Sequence, residues 1–175
     1  VYPSVFVLFA EYQYQWDSRQ IGGVLAIVGV CSVIVQAGLI GPLVKKLGER
    51  RALLLGLGCG VAGFVIYGMA DVGWVFLIGL PISALWGVAG PASQSLITRQ
   101  VDANAQGRVQ GALMSLVSLA GVFAPLAFAG TFGLFISKQA PAHLPGAAWF
   151  LAALLLFGAF LVGWHFARDR PAPAL

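Results

Sequence analysis

The sequence predicts an all-α integral membrane protein, and three observations predict it. Five long runs, Ile21 to Val44, Ala52 to Ala70, Val72 to Thr98, Val109 to Ser137 and Leu144 to Ala167, contain no charged side chain. A bilayer core of roughly 30 Å requires about 20 apolar residues of helix, so each run is long enough to cross. Lipid offers no partner to backbone N–H and C=O groups outside a helix or a closed barrel, and these runs are too long and unbroken for barrel strands. Finally, Lys and Arg concentrate in alternate connections: Lys45, Lys46, Arg50 and Arg51, then Arg99 and Arg108, then Arg168 and Arg170, against Arg19 and Lys138 on the other side. Basic residues collect on the cytoplasmic side, which predicts a cytoplasmic C-terminus.

The spans expected from these runs cover about residues 21–44, 52–70, 73–98, 109–137 and 147–167, after a partial span at 1–10. Val1 to Ala10 is apolar but extends only about 15 Å as a helix, half a crossing. We expect it to be the outer end of a helix that begins before Val1, which makes the chain the C-terminal bundle of a larger protein. Asp71 is expected in a turn, because one helix from Ala52 to Thr98 would be about 70 Å long and Asp71-Val72-Gly73 is the charged, Gly-containing place to break it. Pro141 and Pro145 mark a further loop between Lys138 and Gly146, and Pro171 and Pro173 a frayed tail. Trp16, Trp74 and Trp149 fall near the ends of the spans, where indole rings favour the headgroup level.

Composition limits the function. Mean hydropathy is +0.90 and only 9% of residues are charged, too little polar surface for a water-soluble globule of this size. The net charge of +4 is dispersed among loops, where topology and anionic lipid account for it, so nucleic acid is not an expected partner. Cys31 and Cys59 lie inside apolar runs with no metal-ligand spacing. His143 and His165 have no carboxylate or nucleophile at a catalytic spacing, so no enzyme is expected and no cofactor is implied.

The polar residues inside the spans form stripes. Ser83, Gly87, Gly90, Gln94 and Thr98 recur every three or four residues, as do Gly111, Ser115, Ser118 and Pro125, and Gly29, Ser32 and Gln36. At helical spacing each set shares a face that must meet protein or water. Either the small residues let helices approach, with hydroxyls and amides bonded across the interface, or the stripes line a substrate cavity. For Gln36 and Gln94 the two readings weigh equally; for Ser83, Ser115 and Ser118 packing carries more weight. Trp86 and Phe123, a turn from stripe positions, are candidate aromatic walls of such a cavity. Gly56, Gly60 and Gly63 contain a GxxxG pattern without polar neighbours, which predicts packing.

The most specific stretch is Gly41-Pro42-Leu43-Val44-Lys45-Lys46-Leu47-Gly48-Glu49-Arg50-Arg51. It joins a helix end, a tight basic turn and the start of the next helix, an arrangement that can lock helix ends through charge. It resembles the loop motif G-x-x-x-D-R-x-G-R-R of the major facilitator superfamily. Gly41, Lys45, Gly48, Glu49, Arg50 and Arg51 are thereby the candidate cytoplasmic gate. Lys45 replaces the motif's Asp and Glu49 its first paired Arg, so an acid-mediated gate is not expected in this copy.

The resemblance extends through Gln36-Ala37, Leu47-Gly48-Glu49-Arg50-Arg51-Ala52-Leu53, Gly90-Pro91-Ala92 with Gln94, Thr98-Arg99-Gln100-Val101, and Gln106-Gly107 with Gln110-Gly111. Together these are similar to the second half of the tetracycline-resistance efflux family. The resemblance implies the C-terminal six-helix half of a twelve-helix exporter in a bacterial inner membrane, with its first helix truncated. Such an exporter exchanges protons for a small-molecule substrate by alternating access, and its partners are the lipid bilayer and the N-terminal half. It also implies a cavity lined by the helices that carry the stripes. One departure counts against tetracycline itself: where the family carries a membrane-embedded Asp, this chain has Gly60. A coupling acid would then belong to the other half. The contrasting expectation is a structural or truncated multi-pass protein without transport activity of its own, which the lack of intramembrane charge would favour.

Overall fold

The computed structural model describes residues 2–137 and 144–167. The expectations for Lys138, Pro141, His143 and the tail from Arg168 onward fall outside these residues. Among the described residues the chain forms helices and no strand: α1 (Tyr2–Tyr14), α2 (Ser18–Leu47), α3 (Glu49–Gly68), α4 (Gly73–Gln100), α5 (Gln106–Ile136) and α6 (Ala147–Phe166). Helices α2 to α6 are each long and apolar enough to cross a membrane. Helix α1 runs past Ala10 through Glu11 and Gln13 until Gln15 takes a left-handed φ of 56°. Asp17 then caps α2 reciprocally: its carboxylate accepts from the Gln20 N–H at 2.8 Å, and the Gln20 side chain accepts from the Asp17 N–H at 3.0 Å. Asp71 lies exposed in the turn between α3 and α4.

Helix α3 is the axis of the bundle and packs against both α4 and α6. Its glycines permit the approach. A Cβ added at Gly56 would stand 2.8 Å from the Ala89 backbone nitrogen, and one at Gly63 would stand 2.6 Å from the Ser83 Cβ. At Gly60 it would meet the Leu156 Cδ1 at 2.9 Å and the Trp86 Cγ at 3.0 Å. The Gly56, Gly60 and Gly63 pattern is therefore a packing face, as expected of small residues where no hydrophobic effect drives helices together. The turn into α6 is tighter still, since a Cβ on Gly146 would lie 2.1 Å from the Gly68 carbonyl oxygen.

At one end of α3 an aromatic core joins α1, α3, α4 and α6. Tyr67 is fully buried, stacked on Phe76 with ring centroids 4.1 Å apart, and its hydroxyl is bonded to Ser83. Phe6 stacks on Phe76 and Phe64 on Trp149, while Phe9 meets Trp149 edge-on at 6.0 Å. The Tyr14 hydroxyl donates to the Ala70 carbonyl at 2.6 Å, tying α1 to the α3–α4 turn. Trp149 lies in the first turn of α6, near the end of a span, but at 3% exposure its ring faces into this core and not outward. Trp74, at 78% exposure, is the outward-facing one.

Two spans are irregular midway. Helix α2 widens to a π turn at Ile34–Leu39, just ahead of Pro42, which cannot donate to the carbonyl of Gly38. Helix α4 tightens to a 3-10 turn at Leu85–Val88, just ahead of Pro91, which cannot donate to that of Gly87. The two turns touch, with Val35 and Val88 buried together against Ala52 and Ala92.

Gly63→Ala should destabilise the purified protein by about 1–3 kcal/mol through overpacking, read as a lower midpoint in thermal unfolding. Gly146→Ala should lower it further, because its Cβ meets backbone that cannot rotate away; a midpoint equal to wild type would refute the tight turn.

Candidate functional site

The basic loop forms a clamp across three helix ends. Lys45 and Lys46 sit exposed in the last turn of α2, where cations oppose the negative end of the helix dipole. Gly48 follows with φ 79° and ψ 162°, a region essentially reserved for glycine, and this turn sets Glu49 as the first residue of α3. The Glu49 carboxylate, 10% exposed, accepts from Arg99 at 3.0 Å, whose side chain is 55% exposed, and from the Ser95 hydroxyl. Both partners lie in the last turns of α4. Arg50 donates to the Trp164 carbonyl at 2.9 Å, near the end of α6, and its guanidinium stands 5.9 Å from the Trp164 ring centroid.

Gly48, Glu49 and Arg50 are thus brought together with groups that sequence reasoning left out, namely Ser95, Arg99 and Trp164. The motif's Asp position is Lys45, and the acid that contacts α4 is Glu49 at the start of α3. Gly41, Lys45 and Arg51 are exposed beside it. No local signal marked the Glu49–Arg99 pair, because the partners meet only when α3 and α4 pack.

The candidate cavity residues divide. Ser83 and Trp86 line one chamber of about 260 Å³ between α2 and α4, together with Ser32 and Cys31. Ser83 also packs on Gly63 and bonds Tyr67, so it serves the helix interface as well. Gln94 donates to the Gln110 side chain at 3.0 Å, joining α4 to α5, and Thr98 donates back to the Gln94 carbonyl at 2.8 Å. Gln36, Ser115, Ser118 and Phe123 stand apart on exposed faces of α2 and α5, with the Ser115 hydroxyl bonded to the Gly111 carbonyl at 2.9 Å. The α4 stripe is not one face: Ser83 meets α3, Gly87 lies beside Val35 of α2, and Gln94 meets α5. The 3-10 turn between them breaks the helical period.

The family model for the Major Facilitator Superfamily matches residues 1–175. The chain belongs to the major facilitator superfamily. Among curated proteins this superfamily member is 32% identical to the tetracycline resistance protein, class H, of Pasteurella multocida over 97% of this chain and 41% of that protein. It is 37% identical to the class G protein of Vibrio anguillarum over 74% of this chain and 33% of that one. To the class C protein of Escherichia coli it is 32% identical over 86% of this chain and 38% of that one. The chain therefore spans about two fifths or less of the length of these relatives. No solved structure matches. In this facilitator chain Gly60 stands against Trp86 and Leu156, so a Cβ there would require the Leu156 side chain to shift.

The clamp predicts an asymmetry. Arg99→Ala leaves a buried carboxylate with the Ser95 hydroxyl alone and should cost about 1–3 kcal/mol. Glu49→Ala leaves an Arg that water already reaches and should cost less. Thermal unfolding of both variants and of the double variant checks this; an Arg99→Ala protein as stable as wild type would show the pair to be idle.

Proposed function

We propose that this chain is one half of a secondary transporter that exports a small lipophilic compound, driven by a proton gradient, by rocking against a second bundle around a site near the midplane. The observation that carries the reading is the uneven burial of the spans. Helix α5 buries only Phe128 and Phe132, and α2 only Ile21, Val24 and Val35, yet these two helices carry Gln36, Ser115 and Ser118 on exposed faces. The Ser115 hydroxyl is bonded within its own helix, but a long amide such as Gln36 in hydrocarbon without a partner is costly. A second bundle meeting α2 and α5 across a polar cavity accounts for both the uncovered area and its polar residues. The names of the tetracycline resistance relatives support drug export as the class of activity. Because Gly60 carries no titratable group where the resemblance led to an Asp being expected, we assign the coupling acid to the other half and count this against tetracycline itself as the substrate.

The proposed setting is a bacterial inner membrane with the basic loops and the C-terminus in the cytoplasm. The Glu49–Arg99 pair and the Arg50 contact then fasten the cytoplasmic ends of α3, α4 and α6 into one rigid body.

In the full-length transporter, Gln36→Ala and Gln94→Ala should each reduce export of a fluorescent lipophilic dye several-fold at unchanged membrane abundance. Parallel loss of abundance would return both amides to packing. Arg50→Ala should slow export with little change in the dye concentration at half-maximal rate. A fluorescent protein fused after Leu175 should light up in the cytoplasm, and a periplasmic signal would reverse the orientation.

A further inference from the structure

The chamber that Ser83 lines has a neighbour of opposite character. On the other side of Phe64 and Trp86 lies a second cavity of about 220 Å³, walled by Phe64, Trp86, Phe128, Trp149, Leu155 and Leu156. Phe64 and Trp86 border both cavities and meet edge-on with centroids 5.6 Å apart. They form a partition between a chamber with hydroxyls, from Ser32 and Ser83, and one whose lining includes no charged residue and no hydroxyl.

We propose that this apolar chamber is a binding site for an uncharged one-ring or two-ring aromatic molecule taken up from the hydrocarbon of the bilayer. Size sets the first limit. An apolar cavity of about 150 Å³ in a protein core stays dry and binds benzene, whereas pockets for drug-sized ligands run from about 300 Å³ upward. The chamber falls between the two. Its chemistry sets the second limit. Four of its walls are rings, with Phe64 and Trp149 nearly parallel at 5.8 Å and 21°, so a guest ring finds both faces and edges in the offset and edge-on arrangements aromatic pairs prefer. A charged guest would be desolvated without compensation. Access comes from the membrane side, because Leu155 at the rim is 59% exposed and its neighbours Leu154 and Phe157 on α6 are exposed as well. The site does not depend on the transport reading, since it would bind its guest even in a chain that moves nothing.

The test uses the protein in nanodiscs of dioleoylphosphatidylcholine with iodobenzene as the probe, whose iodine quenches indole fluorescence on contact. In the full-length protein, Trp16→Phe, Trp74→Phe and Trp164→Phe, with every tryptophan outside this sequence also replaced by Phe, leave Trp86 and Trp149, of the five tryptophans here, as the emitters. Quenching is expected to saturate. Ala152→Leu, which adds side chain to the chamber, should weaken the apparent affinity at least ten-fold. Leu155→Phe at the rim should weaken it several-fold and serves if the first variant does not fold. Leu154→Phe, on the exposed face of α6, should leave it unchanged. Quenching that rises linearly with iodobenzene, or saturates equally in both chamber variants, overturns the proposal. So does strong quenching by lipids with brominated acyl chains that iodobenzene does not relieve, because the occupant would then be a lipid tail.

Discussion

The contact on which the other packing depends is the approach of α3 to α4 and α6 at glycine distance. In lipid, helices gain no hydrophobic free energy by leaving solvent for each other, so close fit and polar bonding carry association. Gly56 and Gly63 let the α4 backbone come near enough for Tyr67 to reach Ser83, and Gly146 lets α6 start directly against Gly68. Once those three helices are fixed, the aromatic core and the two chambers that share Phe64 and Trp86 are set. The outward faces of α2 and α5 are what this core leaves uncovered.

The spans were legible because a crossing helix excludes charge over a length that few other structures demand, and Asp71 was legible as a turn for the same reason. The GxxxG pattern also read correctly, since no polar side chain competed for its face. Other features depended on information spread along the chain. Trp149 stands at the depth expected of an interfacial indole, but only the arrival of Phe9, Phe64 and Tyr67 from other helices decides that it turns inward. The stripe from Ser83 to Thr98 assumed an unbroken helical period, and the 3-10 turn at Leu85–Val88 shares its residues among three neighbours. Gln110 was seen only as part of a motif, because its partnership with Gln94 appears when α4 and α5 lie side by side.

The paired irregular turns show how a membrane helix can carry proline without losing its course. A missing donor at Pro42 is met by widening, and one at Pro91 by tightening, and the two departures touch. Val35 and Val88 pack together where both ladders are disturbed, and local π and 3-10 adjustments are a means by which membrane helices re-satisfy groups freed by proline.

Arg50 finds its acceptor in Trp164, 114 residues further along the chain. During synthesis α3 therefore enters the membrane long before the group that holds its first turn exists. Glu49 is secured earlier, when the end of α4 emerges with Ser95 and Arg99. The two halves of the clamp therefore draw on partners that leave the ribosome at different times. A nascent chain cut short before α6 would lack the Trp164 carbonyl and would leave Gly60 without Leu156 and Gly68 without Phe150.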